Sequence, residues 1–157
     1  MPHPPLAIAA LNVPPRISKS AYPPPFDSVV AGRTKRQLGN VFGVRNFGVN
    51  LTELAPGAQS ALLHRHTKQD EFVYVLDGYP TLKTDQGEIV LAPGMCAGFP
   101  AAGIAHHLVN ETWDTVRYLE IGDRTAGDEG RYPNDDLEAH LVDGKWVFTS
   151  KLGVPYD

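Results

Sequence analysis

The sequence predicts an all-β, single-domain protein folded as a closed barrel or jelly roll. Short runs of β-branched and aromatic residues recur along the chain, and long helical periodicity is nearly absent. The chain also contains 15 glycines and 14 prolines, which separate these runs. Regularly spaced short strands with frequent turn signals are typical of β-sandwiches and barrels. At 157 residues the chain is long enough to bury a core as one domain.

The first 25 residues differ from the rest and contain eight of the fourteen prolines. Proline fixes φ and removes a hydrogen-bond donor, so we expect an extended arm rather than a central strand. Leu6, Ile8 and Leu11 give this arm apolar side chains to bury. We therefore expect it to cover the barrel or a partner subunit, the alternative being a disordered tail.

The strand signals become regular from Phe47 onward. Two Pro-Gly turns, at residues 55–57 and 92–94, place glycine where a type II turn requires positive φ. Residues 85–87 (Asp-Gln-Gly) indicate a hairpin. These boundaries predict eight strands at residues 47–54, 62–66, 71–76, 81–83, 88–91, 95–99, 105–110 and 115–121.

The last part of the chain begins with an acidic stretch. Residues 123–138 are rich in Asp and Glu and include Gly and Pro, which indicates a solvated loop. Residues 138–142 and 145–149 flank Asp143-Gly144, a signal for a type I′ hairpin. We thus divide the chain into an arm (1–25), a barrel (26–122), and an acidic loop with a C-terminal hairpin (123–157).

Composition excludes several functional classes. The 14 Lys and Arg against 18 Asp and Glu give a net charge of −4, without the basic excess that nucleic acids or anionic membranes attract. The single cysteine, Cys96, excludes an intrachain disulfide and a cysteine-rich zinc module, and we expect it to be buried. The apolar run at residues 6–11 is too short for a signal peptide or a membrane span. We expect a cytoplasmic protein with no nucleic-acid or membrane partner.

The chemistry is concentrated in two histidine clusters. His64 and His66 are two residues apart on a predicted strand, so both side chains point to one face. Two longer patterns surround the histidines: Gly57-x6-His64-x-His66-x4-Glu71-x6-Gly78, and Gly94-x5-Pro100-x2-Gly103-x2-His106-x3-Asn110.

Together these patterns resemble the two motifs of the cupin superfamily. The resemblance covers about residues 47–122, with the motifs within 57–110, and implies a single-domain cupin barrel, a double-stranded β-helix or jelly roll. It also implies that one divalent metal ion is bound by His64, His66, Glu71 and His106. The chain departs from the family pattern by one residue in the turn before His64 and by one in the turn between Pro100 and Gly103.

The implied ligand set suits Zn, Fe, Mn, Ni or Co, because imidazole and carboxylate are borderline N and O donors. Asp70 is the rival of Glu71, but alternation sends the two carboxylates to opposite sides. In the same way His107 points away from the face of His106 and is expected at the surface or at an interface. His3 and His140 lie outside the motifs and are expected in solvent.

Other residues have two interpretations each. Arg45, Arg65 and Arg117 could hold a carboxylate or phosphate, or form surface salt bridges. Three aromatic residues could line the cavity or belong to the core or an interface: Tyr74, Phe99 and Trp113. The catalytic residues stay unknown, because the sequence contains no Ser-His-Asp pattern, phosphate loop or dinucleotide-binding fingerprint.

Two functions are compatible with such a site. The first is a metal-dependent enzyme for a small, oxygen-rich substrate: an isomerase or lyase, or a dioxygenase if the metal is iron. The C-terminal segment resembles that of small bacterial cupins labelled sugar-phosphate-isomerase-like. The second is a non-catalytic small-molecule-binding or sensor cupin. A general acid or base beside the metal would favour the enzyme, whereas purely aliphatic walls would favour binding alone.

The arm leads to a prediction about assembly. Cupin barrels commonly pair through a sheet face or exchanged N-terminal strands, and the apolar arm offers such a contact, so we predict a homodimer. Deleting residues 1–25 should weaken the dimer or expose apolar surface. Sedimentation of the full chain checks this, and a monomer at micromolar concentration would contradict it.

Overall fold

A computed structural model describes residues 3–18 and 20–156 of the chain. Within these residues the regular structure consists of strands and three short 3-10 helices, at Ala10–Asn12, Phe26–Val30 and Asn40–Phe42. None of the described helices has the length and hydrophobicity that crossing a bilayer requires. The strands are β1 (Arg33–Gln37), β2 (Phe47–Leu54), β3 (Arg65–His66), β4 (Glu71–Asp77), β5 (Thr81–Thr84), β6 (Gly87–Val90), β7 (Cys96–Phe99), β8 (His106–Val109), β9 (Val116–Asp123), β10 (Glu129–Arg131), β11 (Glu138–Val142) and β12 (Lys145–Thr149).

The strands form three antiparallel sheets. A five-stranded sheet has the order β1-β2-β9-β4-β7, a four-stranded sheet the order β12-β11-β10-β3, and a three-stranded sheet the order β6-β5-β8. An isolated bridge between His64 and His106 connects the start of β3 to the start of β8. This bridge joins the two smaller sheets at the position where the histidine motifs meet.

The main core lies between the five-stranded sheet and the three-stranded sheet. In β4, alternation buries Val73 and Val75 and leaves Phe72 and Tyr74 partly in solvent. The buried side chains of β2, β9 and β5 pack against them. A second cluster, around Tyr132 and Phe148, fills the space between the C-terminal hairpin and the N-terminal segment. The all-β prediction is confirmed, and the eight strands predicted between residues 47 and 121 correspond to β2 through β9.

The predicted turns have the backbone conformations that their sequences require. Gly57 and Gly94 have φ of 81° and 88°, as expected at the third position of type II turns. Asp143 and Gly144 both have positive φ, as a type I′ hairpin needs. Gly78, the last residue of the first motif, has a φ of 81°, and a Cβ there would lie 2.9 Å from the carbonyl oxygen of Thr115. Glycine is therefore needed at this position for both its φ and its lack of a side chain.

Several expectations were wrong. The acidic stretch at residues 123–138 is not simply a solvated loop, because it contains β10 and two fully buried residues, Asp128 and Leu137. The strand expected at residues 62–66 is limited to Arg65 and His66, since the preceding residues form bends and the single His64 bridge. Strand β1, which pairs with β2 along five residues, was not predicted. Cys96 is exposed rather than buried, because it lies on the outward side of β7.

The N-terminal arm is largely exposed over its described residues. Leu6, Ile8 and Leu11 face solvent in the single chain. Val13, in contrast, is buried, and the ring of Tyr22 contacts those of Tyr132 and Phe148. The second half of the arm thus packs on the barrel. Pairing of its apolar first half with a second copy stays a prediction, as does the division of the chain at residues 26 and 122.

Candidate metal site and cavity

Three strands and one bridge bring the predicted ligands together. His66 lies in β3, Glu71 begins β4, and His106 begins β8. The backbone of His64 is bridged to that of His106 by two hydrogen bonds, of 3.2 Å and 2.8 Å. The ring centroid of His64 lies 5.1 Å from that of His66 and 4.9 Å from that of His106. Residues distant in sequence therefore place three imidazoles around one carboxylate.

The Glu71 carboxylate is the centre of this group. Its Oε1 lies 2.8 Å from Nε2 of His66. Its Oε2 lies 2.5 Å from Nε2 of His106 and 3.6 Å from Nε2 of His64. Every histidine thus presents the same ring nitrogen, Nε2, to the carboxylate. This convergence leaves the Nδ1 atoms to point outward from the group.

The outward nitrogens contact fixed acceptors. His64 Nδ1 lies 2.7 Å from the carbonyl oxygen of Leu62, and His66 Nδ1 lies 2.5 Å from Oδ2 of Asp128. The ring of His106 stacks on Phe99 with centroids 3.5 Å apart and planes within 3° of parallel. Such outer contacts set the orientation and the tautomer of a histidine before any metal arrives.

The donor set fits a divalent metal ion. One ligand atom each from His64, His66 and Glu71 lies within 4.8 Å of the other two. This is the separation that a single ion could bridge with small side-chain adjustments, and two imidazoles with one carboxylate suit a borderline divalent metal. His106, the fourth ligand that the family resemblance implies, contacts the same carboxylate, and its ligation of a metal stays a prediction.

The contacts among the three histidines and Glu71 favour the charged forms of His66 and Glu71. Burial alone would lower the pKa of His66, but hydrogen bonds and attraction from Glu71 and Asp128 raise it to about 9. Burial would likewise raise the pKa of Glu71, yet attraction from His64 and hydrogen bonds from the three imidazoles hold it well below its usual range. The group therefore holds an ionised carboxylate beside a protonated imidazole, a charge distribution that a bound cation would replace.

Alternation separates the two adjacent carboxylates as expected. Glu71 turns toward the histidines, whereas Asp70 is exposed and accepts a hydrogen bond of 2.8 Å from the backbone N–H of Ala101. The backbone N–H of Asp70 in turn donates to Asp123. Asp70 therefore fastens neighbouring loops and lies outside the candidate metal group.

Asp128 is a site residue that the sequence analysis missed. It is fully buried, contacts His66, and accepts hydrogen bonds from the backbone N–H groups of Lys68 and Gln69, at 2.8 Å and 3.1 Å. It follows Gly127 and precedes β10, the strand that pairs with β3. No local signal distinguishes Asp128 from the other acidic residues of this stretch, because its importance comes from the β3–β10 pairing.

A cavity of about 220 Å³ opens beside the candidate metal group. Val73, Phe99 and Leu108 form part of its apolar wall. Aromatic side chains from the arm and the C-terminal segment, Tyr22, Tyr132, Trp146 and Phe148, close another side. The charged and hydroxyl-bearing residues that line it outside the metal group are Arg16, Ser20, Arg33, Lys35, Ser60, Tyr118 and Glu120.

A buried ion pair lies in this cavity wall. Lys35 Nζ and Glu120 Oε1 are 2.9 Å apart, and both side chains are mostly buried. Burial would raise the pKa of Glu120, but attraction to Lys35 lowers it below its usual value. Glu120 is diagonal to Glu71, because Glu120 pairs with Val73 and Glu71 pairs with Gly122 on the neighbouring strands. An ionised carboxylate therefore stands beside the metal group in the same cavity.

The other candidates divide between surface and cavity. Arg117 pairs with Glu53 and Asp77, so the surface interpretation holds for it. Neither Arg45 nor Arg65 is among the residues that line the cavity; the cavity arginines are Arg16 and Arg33, which sequence analysis did not single out.

The aromatic candidates divide in the same way. Phe99 lines the cavity, whereas Tyr74 is 40% exposed and Trp113 is 95% exposed. His107 is half-buried, with Nδ1 2.8 Å from the carbonyl oxygen of Ala61. His140, which we expected in solvent, is instead half-buried and contacts Glu129.

Comparison with known proteins places this geometry in a family. Residues 50–122 match the Cupin_2 family, described as the cupin domain. A structure of a sugar phosphate isomerase from a cupin superfamily of Silicibacter pomeroyi is 38% identical, with a TM-score of 0.90 and 96% of each chain covered. A candidate sugar phosphate isomerase of Acidithiobacillus ferrooxidans is 32% identical, with a TM-score of 0.72 and 80% of each chain covered.

A more distant structure supports the fold alone. The polyketide cyclase RemF of Streptomyces resistomycificus is 24% identical, with a TM-score of 0.62 over 74% of this chain and 78% of its own. None of the curated proteins matches this chain. The domain match, the 38% identity over nearly the whole length and the barrel itself agree, and the chain belongs to the cupin superfamily.

Proposed function

We propose that this chain is a divalent-metal-dependent enzyme that isomerises a small, oxygen-rich substrate. The observation that carries the proposal is Glu120, an ionised and largely buried carboxylate in the same cavity as the histidine group. A cavity that served binding alone would have no need to bury a charged carboxylate beside the metal. Two structurally similar proteins are named as sugar phosphate isomerases, one of them as a candidate. Their names support an isomerisation for this chain as well.

His64, His66, Glu71 and His106 would hold the metal. Their Nε2 and carboxylate oxygens converge on one point, and the Nδ1 atoms of His64 and His66 are already held by Leu62 and Asp128. The bound metal would act as a Lewis acid that polarises a carbonyl or hydroxyl oxygen of the substrate. To hold the metal, Nε2 of His66 would have to be free of its proton.

Glu120 supplies the base that such an isomerisation needs. An aldose–ketose isomerisation moves one proton between neighbouring carbons, by way of the base, and one proton from the hydroxyl oxygen to the former carbonyl oxygen, so the base ends the cycle unchanged. The attraction to Lys35 keeps Glu120 ionised, as a base must be, and the lowered pKa makes it a weaker base than a free glutamate. Diagonal positions on neighbouring strands are about 7–8 Å apart, which places the base within one small molecule's width of Glu71.

The walls of the cavity complete the site. Tyr22, Tyr132 and Trp146 line it on the side of the arm and the C-terminal hairpin, where a bound substrate would displace water. Exclusion of water strengthens the electrostatic interactions of the polar groups inside. The aromatic faces also provide flat apolar surfaces against which a carbon skeleton can lie.

Metal content tests the ligand assignment. Replacing His64 and His66 together by Ala should abolish bound metal and leave a folded β protein, because the core does not depend on the ion. Glu71→Gln keeps the size but removes the only anionic ligand, so its metal content should fall far below that of the wild type.

Asp70→Asn is the matched control for Glu71→Gln. Its carboxylate lies in solvent and contacts a loop, so this variant should keep the wild-type metal stoichiometry. Elemental analysis of each purified protein measures the result. Loss of metal from Asp70→Asn with retention in Glu71→Gln would overturn the assignment of Glu71.

A second prediction concerns the residue behind His66. Asp128→Asn keeps the shape but replaces a charged acceptor of the His66 Nδ1–H by a neutral amide. Outer contacts of this kind are worth about 10–100-fold in metal affinity, and we expect a loss of that size. Competition with a chromogenic chelator measures the affinity, and Asp135→Asn, in the same acidic stretch but only partly buried, is the control. Unchanged affinity in Asp128→Asn would show that this contact does not orient the ligand.

A third prediction tests catalysis. In D2O, metal-loaded protein incubated with a panel of aldoses, ketoses and their phosphates should convert one pair with uptake of deuterium, as seen by NMR. Glu120→Gln should reduce this turnover by about 10²–10⁴-fold without loss of metal. Glu53→Gln is the control, because Glu53 pairs with Arg36 and Arg117 on the outer side of β2.

Two outcomes would contradict the proposal. Equal turnover in Glu120→Gln and the wild type would remove Glu120 as the base. Tight binding of a sugar by metal-loaded protein, with no turnover of any member of the panel, would identify the chain as a binding cupin instead.

A further inference from the structure

We propose that Arg16, Arg33 and Lys35 form a binding site for the phosphate group of a phosphate monoester, in the wall of the cavity that also contains the histidine group. The inference deepens the proposed function, on which it rests, by naming the class of substrate. All three side chains line the same cavity as the candidate metal ligands. None of the three belongs to the two sequence motifs, which lie between residues 57 and 110.

Strand β1 presents two of these cations by simple alternation. Its sequence is Arg-Thr-Lys-Arg-Gln, so Arg33 and Lys35 share one face and Arg36 points to the other. Arg33 and Lys35 line the cavity, whereas Arg36 forms an ion pair with Glu53. The backbone N–H of Arg16 donates to the carbonyl oxygen of Lys35 at 2.8 Å, which holds the arm against β1 and brings Arg16 to the same wall.

The charge of this wall matches a dianion. Among the described residues that line it, three cations stand near one carboxylate, Glu120, which pairs with Lys35. Burial and repulsion from Arg33 lower the pKa of Arg16 against an opposing attraction to Glu120. Burial lowers the pKa of Lys35, where attraction to Glu120 opposes it and repulsion from Arg33 adds to it. Bringing an anion into the wall would relieve this repulsion. A phosphate monoester carries about −1.5 to −2 charges at pH 7, and guanidinium groups pair bidentately with its oxygens.

Two further features of this cavity suit a phosphate: the fixed guanidinium group of Arg33 and the hydroxyl group of Tyr118. Arg33 Nη1 lies 2.5 Å from the carbonyl oxygen of Ser60, a contact that fixes the plane of its guanidinium group. A fixed guanidinium plane favours bidentate recognition of phosphate oxygens. The hydroxyl of Tyr118 lies in the same cavity beside the hydroxyl groups of Thr52 and Ser60, and it could donate to a bound phosphate oxygen.

The sheet sets the length of the molecule that would fit. In the order β1-β2-β9-β4, Lys35 lies three strands from Glu71, which is about 14 Å between backbones at the usual strand spacing. The Lys35 side chain crosses β2 to reach Glu120 on β9, so its ammonium group stands only about one strand spacing, roughly 5 Å, from β4. A chain of a few carbons can therefore place one end at the histidine group and its phosphate at the cations.

Isothermal titration of inorganic phosphate tests the site in chelator-treated protein, so the result does not depend on the metal. The wild type should bind phosphate, and Arg33→Met should weaken this binding by about tenfold or more. Arg36→Met, on the same strand but the opposite face, should leave the affinity within about twofold of the wild type. Glu120→Gln should tighten binding, because it removes the competing anion beside Lys35.

Arg33→Met should weaken phosphate binding and Glu120→Gln should tighten it. Because a misfolded protein would not bind phosphate more tightly, this pair of results cannot come from folding defects. A parallel titration with acetate distinguishes phosphate from carboxylate, and we expect acetate to bind far more weakly. Absence of phosphate binding by the wild type, equal affinity in Arg33→Met, or weaker binding in Glu120→Gln would each overturn the proposal. Failure to find turnover or metal would instead count against the proposed function and leave the phosphate titration unaffected.

Discussion

The contact between the Glu71 carboxylate and three imidazoles is the constraint around which this barrel is organised. A carboxylate taken out of water is costly unless charged or hydrogen-bonding partners surround it. Here His66 and His106 lie within hydrogen-bond distance of its two oxygens, and His64 lies close by. Those partners come from β3, β8 and the bridge between them, so satisfying one side chain requires the sheets to close in one register.

The same barrel also buries the ion pair between Lys35 and Glu120. Replacing a buried ion pair by apolar side chains of similar size is often neutral or stabilising, so a pair such as Lys35–Glu120 is weak evidence for stability. Around it the walls are apolar or aromatic, with Val73, Leu108 and Phe148 lining the same cavity. An ion pair retained among such walls is consistent with the proposal that this cavity binds a charged molecule.

Local sequence patterns predicted the elements that depend on local chemistry. Strand β2 and both strands of the C-terminal hairpin begin and end where alternation and turn residues predict. The turns at Gly57 and Gly144 follow from the need for positive φ. The motif spacing likewise identified Glu71 over Asp70, because a one-residue difference on a strand reverses the face.

What the sequence could not predict depends on partners distant in the chain. Strand β1 reads Arg-Thr-Lys-Arg-Gln, a polar run with low strand propensity, and it is a strand only because β2 pairs with it. Asp128 resembles its acidic neighbours until β10 pairs with β3 and carries it to His66. Cys96 was expected inside because free cysteine usually packs there, but the register of β7 against β4 places it outward.

Strand β1 and Asp128, unlike Cys96, lie outside the segment that matches the cupin domain. The segment that matches the cupin domain, residues 50–122, contains the histidine group and Glu120. Arg16, Arg33 and Lys35 precede that segment, and Asp128 and the aromatic walls at Tyr132 and Trp146 follow it. A shared fold hosts many reactions, so the function of one member depends on what surrounds the shared site. In this protein the flanking segments supply these cations and most of the aromatic side chains of the cavity, and under the proposed function they would select the molecule that reaches the histidines.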